Sequence, residues 1–318
     1  MRRAPLVLII VLVTIILAAC ANPSATSSPQ PTSTTAAQPA PERLLVIGDI
    51  SDDPAEVIEG TQPLANYLAA QLTDFGYTGG TVRVVRTTEE MITLLKNGEV
   101  DICFDSTYPA TLLSDATGAQ IILRRWRFGV EEYQSVIFAS KASGITRLED
   151  LPGHLVAMDA PYSTSGFMLP AVLMTERGLT LTGKPDYNAP LAPNEVGFVF
   201  SYDDENTLQW VLSGLTAAGV TDDYHFDKAF PREAVEQLVE LARTEFTPRQ
   251  VVMVRPGMDA ALVEAIKQAL IGMDENDAGK TALKPFQTTQ FDEFPEGIEA
   301  ATRRMREMMD IVKDIRLP

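Results

Sequence analysis

The run Asp159-Ala160-Pro161-Tyr162-Ser163-Thr164-Ser165-Gly166 places three consecutive hydroxyls and a glycine between an apolar segment, Leu155 to Met158, and a helical one, Phe167 to Arg177. A strand-to-helix turn of this kind leaves backbone N–H groups free at the positive end of the helix dipole. It also lies at the C-terminal edge of a parallel sheet, where open α/β sheets bind ligands. The chemistry this predicts is capture of a small tetrahedral oxyanion. The N–H groups donate, and the hydroxyls of Ser163, Thr164 and Ser165 can donate to a P–O oxygen or accept from a P–OH. Ser and Thr are also ordinary N-caps, so on spacing alone the run reads equally as a capped helix start. Pro170 removes one backbone donor in the first turns but leaves the N-terminal N–H cluster intact.

Other reactive side chains point elsewhere. Arg124-Arg125-Trp126-Arg127 is a dense cationic run; alternation near a strand end gives the same pattern, and a surface position is expected for it. His154 and His225 are isolated, with no Cys or His at metal-ligand spacing, so neither a zinc site nor any cofactor is indicated. There is no Gly-x-Ser-x-Gly elbow and no histidine tied by sequence to Ser163, so hydrolase chemistry is not expected. Thr61 reads as an N-cap of the first helix or as a ligand contact. Cys103, inside the apolar stretch Val100 to Phe104, is expected to be a buried structural thiol.

The elements that must position these residues alternate between strand and helix. Arg43 to Gly48, Val82 to Val85 and Val100 to Phe104 read as strands, with helices over Pro63 to Phe75 and Glu89 to Lys96. Gln134 to Ala139 is a longer apolar strand after which the chain changes lobe. Strands at Leu155 to Met158 and Gly197 to Phe200 then alternate with helices at Phe167 to Arg177 and Glu205 to Leu212. Gln250 to Val254 returns to the first lobe, and Ile298 to Val312 is amphipathic, with Met305, Met308, Met309 and Val312 on its core face. Strands separated by helices imply parallel sheets. The expected division is a first lobe over 43–138 and 249–318 and a second over 139–248.

Ahead of these lies an N-terminus of a different kind. Arg2 and Arg3 precede an apolar run from Leu6 to Leu17 that ends in Leu17-Ala18-Ala19-Cys20. The run is short of the roughly 20 residues that span a bilayer and reads as a secretion signal over 1–20 with a lipobox, Cys20 becoming the lipidated terminus. Residues 21–42 are almost wholly Ala, Ser, Thr, Pro, Gln and Asn, a tether with a random-coil reach of very roughly 25 Å. The net charge of −17 argues against nucleic acid or an anionic membrane surface as a partner. It does not exclude a small anion held by local dipoles, because charges beyond about 10 Å are screened.

Several blocks occur in one order: Tyr133-Gln134-Ser135-Val136-Ile137, Ser143-Gly144-Ile145, Leu148-Glu149-Asp150-Leu151, and Ser163-Thr164-Ser165-Gly166 with Leu169-Pro170. Pro63-Leu64-Ala65-Asn66-Tyr67-Leu68, Asn97-Gly98-Glu99-Val100-Asp101-Ile102 and Arg249 to Val254 extend the match over most of the chain after the tether. In these blocks the chain resembles the phosphate/phosphite/phosphonate-binding proteins of ABC importers. The resemblance implies an α/β, two-lobed periplasmic-binding-protein type II fold, each lobe a mainly parallel sheet flanked by helices, with the ligand cleft between lobes. It implies a phosphorus oxyanion as ligand, an ABC permease as partner, and a monomer anchored outside the cytoplasm. It also implies that Ser163, Thr164 and Ser165, with Gly166, clamp the phosphorus-bound oxygens, and that Tyr133 and Tyr108 stand where the family has cleft aromatics; each tyrosine reads equally as packed core. Ser106 and Thr107 replace a Gly-rich turn but keep hydroxyl donors. Where the family often has Ser-His-Asp, this chain has Tyr202-Asp203-Asp204. Asp203 or Asp222 would therefore favour an amine-bearing or protonated ligand if either lines the cleft, with a surface turn the expected place for Asp203. Another small ligand, or a sensory role beside a membrane kinase, is the alternative.

Overall fold

The structure is a computed structural model that describes residues 43–51 and 53–318. The expected signal segment, Cys20 and the tether lie outside the described residues. Among those described, no helix is long and apolar enough to cross a membrane.

The first lobe begins β1 (Arg43–Ile50), α1 (Pro54–Gln71), β2 (Tyr77–Val85), α2 (Thr88–Asn97), β3 (Ile102–Asp105), α3 (Thr107–Thr117) and β4 (Gln120–Arg127). A short strand β5 (Glu132–Tyr133) leads into β6 (Ser135–Ser140), β7 (Leu155–Met158), α4 (Leu169–Glu176), β8 (Thr180–Gly183), β9 (Glu195–Phe200), α5 (Asp204–Leu212) and β10 (Ala218–Asp222). Then come α6 (Arg232–Val235), β11 (Leu238–Arg243), β12 (Thr247–Pro248), β13 (Gln250–Val254), α7 (Ala260–Ile271), α8 (Asp277–Leu283), β14 (Thr288–Asp292) and α9 (Ile298–Val312).

Two six-stranded sheets result, in the orders β14-β4-β13-β3-β1-β2 and β11-β6-β10-β7-β9-β8. In the first, β1 to β4 share one direction and β13 and β14 oppose it. In the second, only β6 opposes the rest. The sheets are thus mainly parallel in direction, each with a reversed strand beside the strands that carry the cleft. Each is packed on both faces. Leu45, Leu68 and Ile266 lie under α1 and α7, with Met91, Cys103 and Leu113 on the other side. In the second lobe, Phe167 and Val172 lie on one face and Phe138 and Val211 on the other. Cys103 is buried, which pushes its thiol well above the usual range.

Three sequence expectations are corrected. The division at 138/139 falls inside β6, a strand wholly in the second sheet. The chain crosses earlier, through β5, which pairs antiparallel with β12 on the way back, Tyr133 opposite Thr247 and Glu132 opposite Pro248. Helix α1 starts at Pro54 rather than Pro63, because Asp53 and Pro54 form a side-chain N-cap and an N1 proline, with Asp53 Oδ1 accepting from Glu56 N at 3.1 Å. Thr61 is therefore inside the helix and does not cap it. Finally, α9 does not simply return to the first lobe: Ile298 and Ala301 touch the first-lobe core, whereas Met305, Met308 and Val312 belong to the second.

Met308 is 2% exposed. Met308→Ala is expected to lower stability by about 2–5 kcal/mol in urea unfolding, whereas a loss below about 1 kcal/mol would mean that α9 adds nothing to the second core.

Candidate functional site

The wholly buried strand β7 ends at Met158, and the helix after it opens with one wide turn closed by i→i+5 bonds from Met168 N to Ser163 O and from Leu169 N to Thr164 O. Pro170 has no N–H to offer Gly166 O, and Asp159 N takes that carbonyl instead, at 3.1 Å. Ser163 Oγ accepts from Gly166 N at 2.9 Å, and Ser135 Oγ donates to Ser165 O at 2.6 Å. A Cβ on Gly166 would stand 2.3 Å from Asp159 Cβ and 2.8 Å from Ser163 Oγ, so the turn closes only around glycine.

Facing it is the N-terminus of α3 on the other lobe. Thr164 Oγ1 donates to Ser106 Oγ at 2.9 Å and accepts from Tyr108 N at 3.0 Å. One hydroxyl, on a residue 1% exposed, therefore joins the N-terminal ends of two helices from opposite lobes. The Tyr133 hydroxyl faces those of Thr164 and Ser165; burial pushes its phenol up to about 12, so it remains a donor throughout the neutral range. The Tyr108 ring packs against the second core. Thr107 is turned to the hinge, its Oγ1 donating to Pro248 O at 2.6 Å.

Asp203 caps α5, its Oδ1 accepting from Asn206 N at 2.9 Å. Asp222 is buried, with Arg249 Nη2 3.3 Å from Oδ2 and His225 Nδ1 3.1 Å from Oδ1. Burial alone would raise its carboxyl, but the His225 contacts and the Arg249 charge outweigh that and hold it below the usual range. His225 is thus not isolated: Asp222, with Asp204 at 3.5 Å, raises its imidazole. Thr61 lines a neighbouring cavity of about 360 Å³ together with Asp49, Asp105, Arg125 and Arg127.

The expected surface position of the arginine run is corrected. Strand β4 runs between β13 and β14, so its side chains enter covered sheet faces. Arg124 is 5% and Arg125 6% exposed. Arg124 pairs with Asp292 and with Glu132, and Arg125 donates to Thr288 Oγ1, Gln250 Oε1 and Phe286 O. Arg127 reaches the cavity.

Sequence reasoning missed Arg249 altogether. It is 5% exposed, and its guanidinium lies 4.9 Å from the Tyr133 ring centre, 5.4 Å from that of Phe128 and 5.9 Å from that of Tyr224. An arginine directly after Pro248, beside a chain crossing, was the signal available. Also missed were Asp49 and Asp105, at the C-terminal ends of β1 and β3. Burial pushes their carboxyls up to about 6 and about 7; nearby Arg125 opposes this at Asp49, and Asp49 adds to it at Asp105.

A family model described as "ABC transporter, phosphonate, periplasmic substrate-binding protein" matches residues 50–296. Two structures of XAC2383 from Xanthomonas citri, one bound to ATP and one to a chloride ion, are 26% and 27% identical to this chain, with TM-scores of 0.77 and 0.78; each match covers 85% of this chain and 97% of the other. PhnD1 from Prochlorococcus marinus, in complex with methylphosphonate, is 15% identical with a TM-score of 0.63, covering 86% of this chain and 99% of its own, a likeness of fold.

The raised carboxyl of Asp105 gives a pH test. The folded chain holds this proton up to about pH 7, whereas an ordinary aspartate loses it near 3.8, so the penalty of ionising it is absent at low pH and grows as pH rises through that window. Asp105→Asn is expected to be more stable than the parent at about pH 8, with the difference vanishing near about pH 4 in denaturant titrations; a difference independent of pH would refute the assignment.

Proposed function

The chain belongs to the phosphonate periplasmic substrate-binding family of ABC transporters, and from that premise we propose that it is the extracytoplasmic binding protein of an importer and captures a phosphorus oxyanion between its lobes. The observation that carries this is Thr164 Oγ1, held between Ser106 Oγ and Tyr108 N of the opposite lobe. Helix N-termini present N–H groups and a positive dipole end, and here two of them converge on one point. A phosphonate, phosphite or phosphate group at that point accepts from both lobes at once, and the structure of the Xanthomonas relative bound to ATP supports extending the class to organic phosphates.

The mechanism is hinge closure. The β5–β12 pair crosses between the sheets, with Tyr133 on one strand and Arg249 directly after the other. A ligand that contacts both lobes binds the closed form more tightly than the open one, and that difference alone drives closure. The closed form then docks on the permease. Binding needs no covalent step, and we assign none. The Leu17-Ala18-Ala19-Cys20 lipobox supports anchoring of a monomer to the outer face of the cell membrane through a lipidated Cys20, with residues 21–42 as the tether. Asp203 and Asp222 are assigned away from the ligand, one to a helix cap and the other to Arg249 and His225.

Calorimetry with phosphate, phosphite, methylphosphonate and 2-aminoethylphosphonate tests the reading. At least one should bind, and Ser163→Ala or Ser165→Ala should weaken it about 10–100-fold, the worth of one hydrogen bond to a charged group. Small-angle scattering should show the chain becoming more compact with that ligand. Failure of all four to bind the parent chain would overturn the proposal.

A further inference from the structure

Three guanidiniums lie inside this acidic chain with little to neutralise them. Among the described residues, Arg125 is hydrogen-bonded only to uncharged acceptors. Arg127 donates from Nη2 to Gln287 Oε1 at 3.1 Å, and its buried Nε has no partner among the described residues. Among the described residues, Arg249, 5% exposed, reaches Asp222 through Nη2 alone, and its buried Nε and Nη1 have no hydrogen-bond partner. Asp222 is itself shared with His225. Buried polar groups without partners cost about 1–3 kcal/mol each, more when charged, so a guanidinium with two free donors in a family of ligand-binding clefts points to an acceptor that comes from outside the chain.

Tyr133 stands between that guanidinium and the proposed phosphoryl subsite. Its hydroxyl faces Thr164 and Ser165, whereas the Arg249 guanidinium lies over its ring at 4.9 Å. Arg127 and Arg249 are near enough to repel one another, with Asp49, Asp222 and Tyr133 in the same neighbourhood. The rings of Phe128 and Tyr224, stacked at 5.2 Å, close the far side of Arg249. Planar forks of this kind bind carboxylate and phosphoryl oxygens in pairs.

Resting on the binding role proposed above, we infer that the ligand carries a second anionic group, a carboxylate or a second phosphoryl, which Arg249 and Arg127 hold beyond Tyr133. The ligand class is therefore a phosphonate or phosphate ester with an acidic substituent rather than a simple alkyl- or aminoalkylphosphonate. The carboxyls of Asp49 and Asp105 stand at the cavity wall; burial raises both, which eases protonation of either beside a bound anion, and a protonated carboxyl can donate to that anion.

The test compares methylphosphonate with phosphonoacetate, 3-phosphonopropionate and methylenediphosphonate by calorimetry on the intact protein. At least one diacid should bind about tenfold or more tighter than methylphosphonate. Arg249→Gln and Arg127→Gln should remove that advantage while leaving methylphosphonate within about threefold. If Arg249→Gln fails to fold because Asp222 loses its partner, Arg127→Gln and the parent ratio carry the result. Diacids no tighter than methylphosphonate would overturn this inference and leave the binding role standing. Equal weakening of all four ligands in the arginine variants would overturn it too, since the guanidiniums would then hold the phosphoryl group itself. If none of the four ligands bound the parent chain, this inference would be overturned, and binding of phosphate, phosphite or 2-aminoethylphosphonate would decide whether the binding role falls with it.

Discussion

A helix start buried against another helix start must find acceptors for its N–H groups, and the cleft is organised around that requirement. The N-terminal end of α3 and the wide turn that leads into α4 point at each other from opposite lobes. Water cannot serve both once the lobes close, and each unmet donor costs about 1–3 kcal/mol. In this chain a threonine hydroxyl partly meets the need, accepting from Tyr108 N and donating to Ser106 Oγ. A hydroxyl brings only two lone pairs and one proton; a tetrahedral oxyanion brings more acceptors and a charge that matches both dipoles. On the proposed reading, the closed arrangement is tolerated without ligand and favoured with it.

The rest of the loop serves to hold that hydroxyl in place. Gly166 allows the turn to close on Asp159, the Ser163 side chain caps it, and Ser135 anchors Ser165 from the reversed strand β6. Strand β6 is reached directly from Tyr133, so the chain segment that crosses between lobes also supplies the aromatic floor of the site. Arg249 enters from the return crossing in the same way. Residues on the two crossings therefore meet each other, Arg249 over the Tyr133 ring, close to the Ser163 turn. Thr107 couples the other lobe to the same hinge through Pro248 O.

What was legible in sequence was local. Hydroxyls between an apolar strand and a helix announce a donor-rich turn whatever surrounds them, and alternation of strand with helix gives two parallel sheets. What was not legible depended on distant partners. Arg125 looks like a surface residue until β13 and β14 are laid on either side of β4; Arg249 looks like the start of a strand until Tyr133, 116 positions earlier in the numbering, is brought beneath it. The start of α1 was placed at Pro63 because the apolar spacing begins there, although Asp53 and Pro54 already supply a side-chain cap and a proline at the first helical position. Met305 and Met308 marked α9 as buried without saying in which lobe, since an apolar stripe names a face and not its neighbour.

A net charge of −17 does not conflict with the proposed anionic ligand. Surface carboxylates are screened within about 10 Å at physiological salt, whereas guanidiniums and helix ends inside a closed cleft act at contact distance in a poorer dielectric. The exposed acids govern how the whole molecule behaves towards large anionic partners; the buried arginines govern what happens at a few atoms. Asp222 makes the division visible. It is a carboxylate beside the cleft, yet it orients Arg249 and His225 and leaves two guanidinium nitrogens of Arg249 facing away from it. On the proposed reading, a negative side chain there serves an anion site by fixing the cation assigned to it.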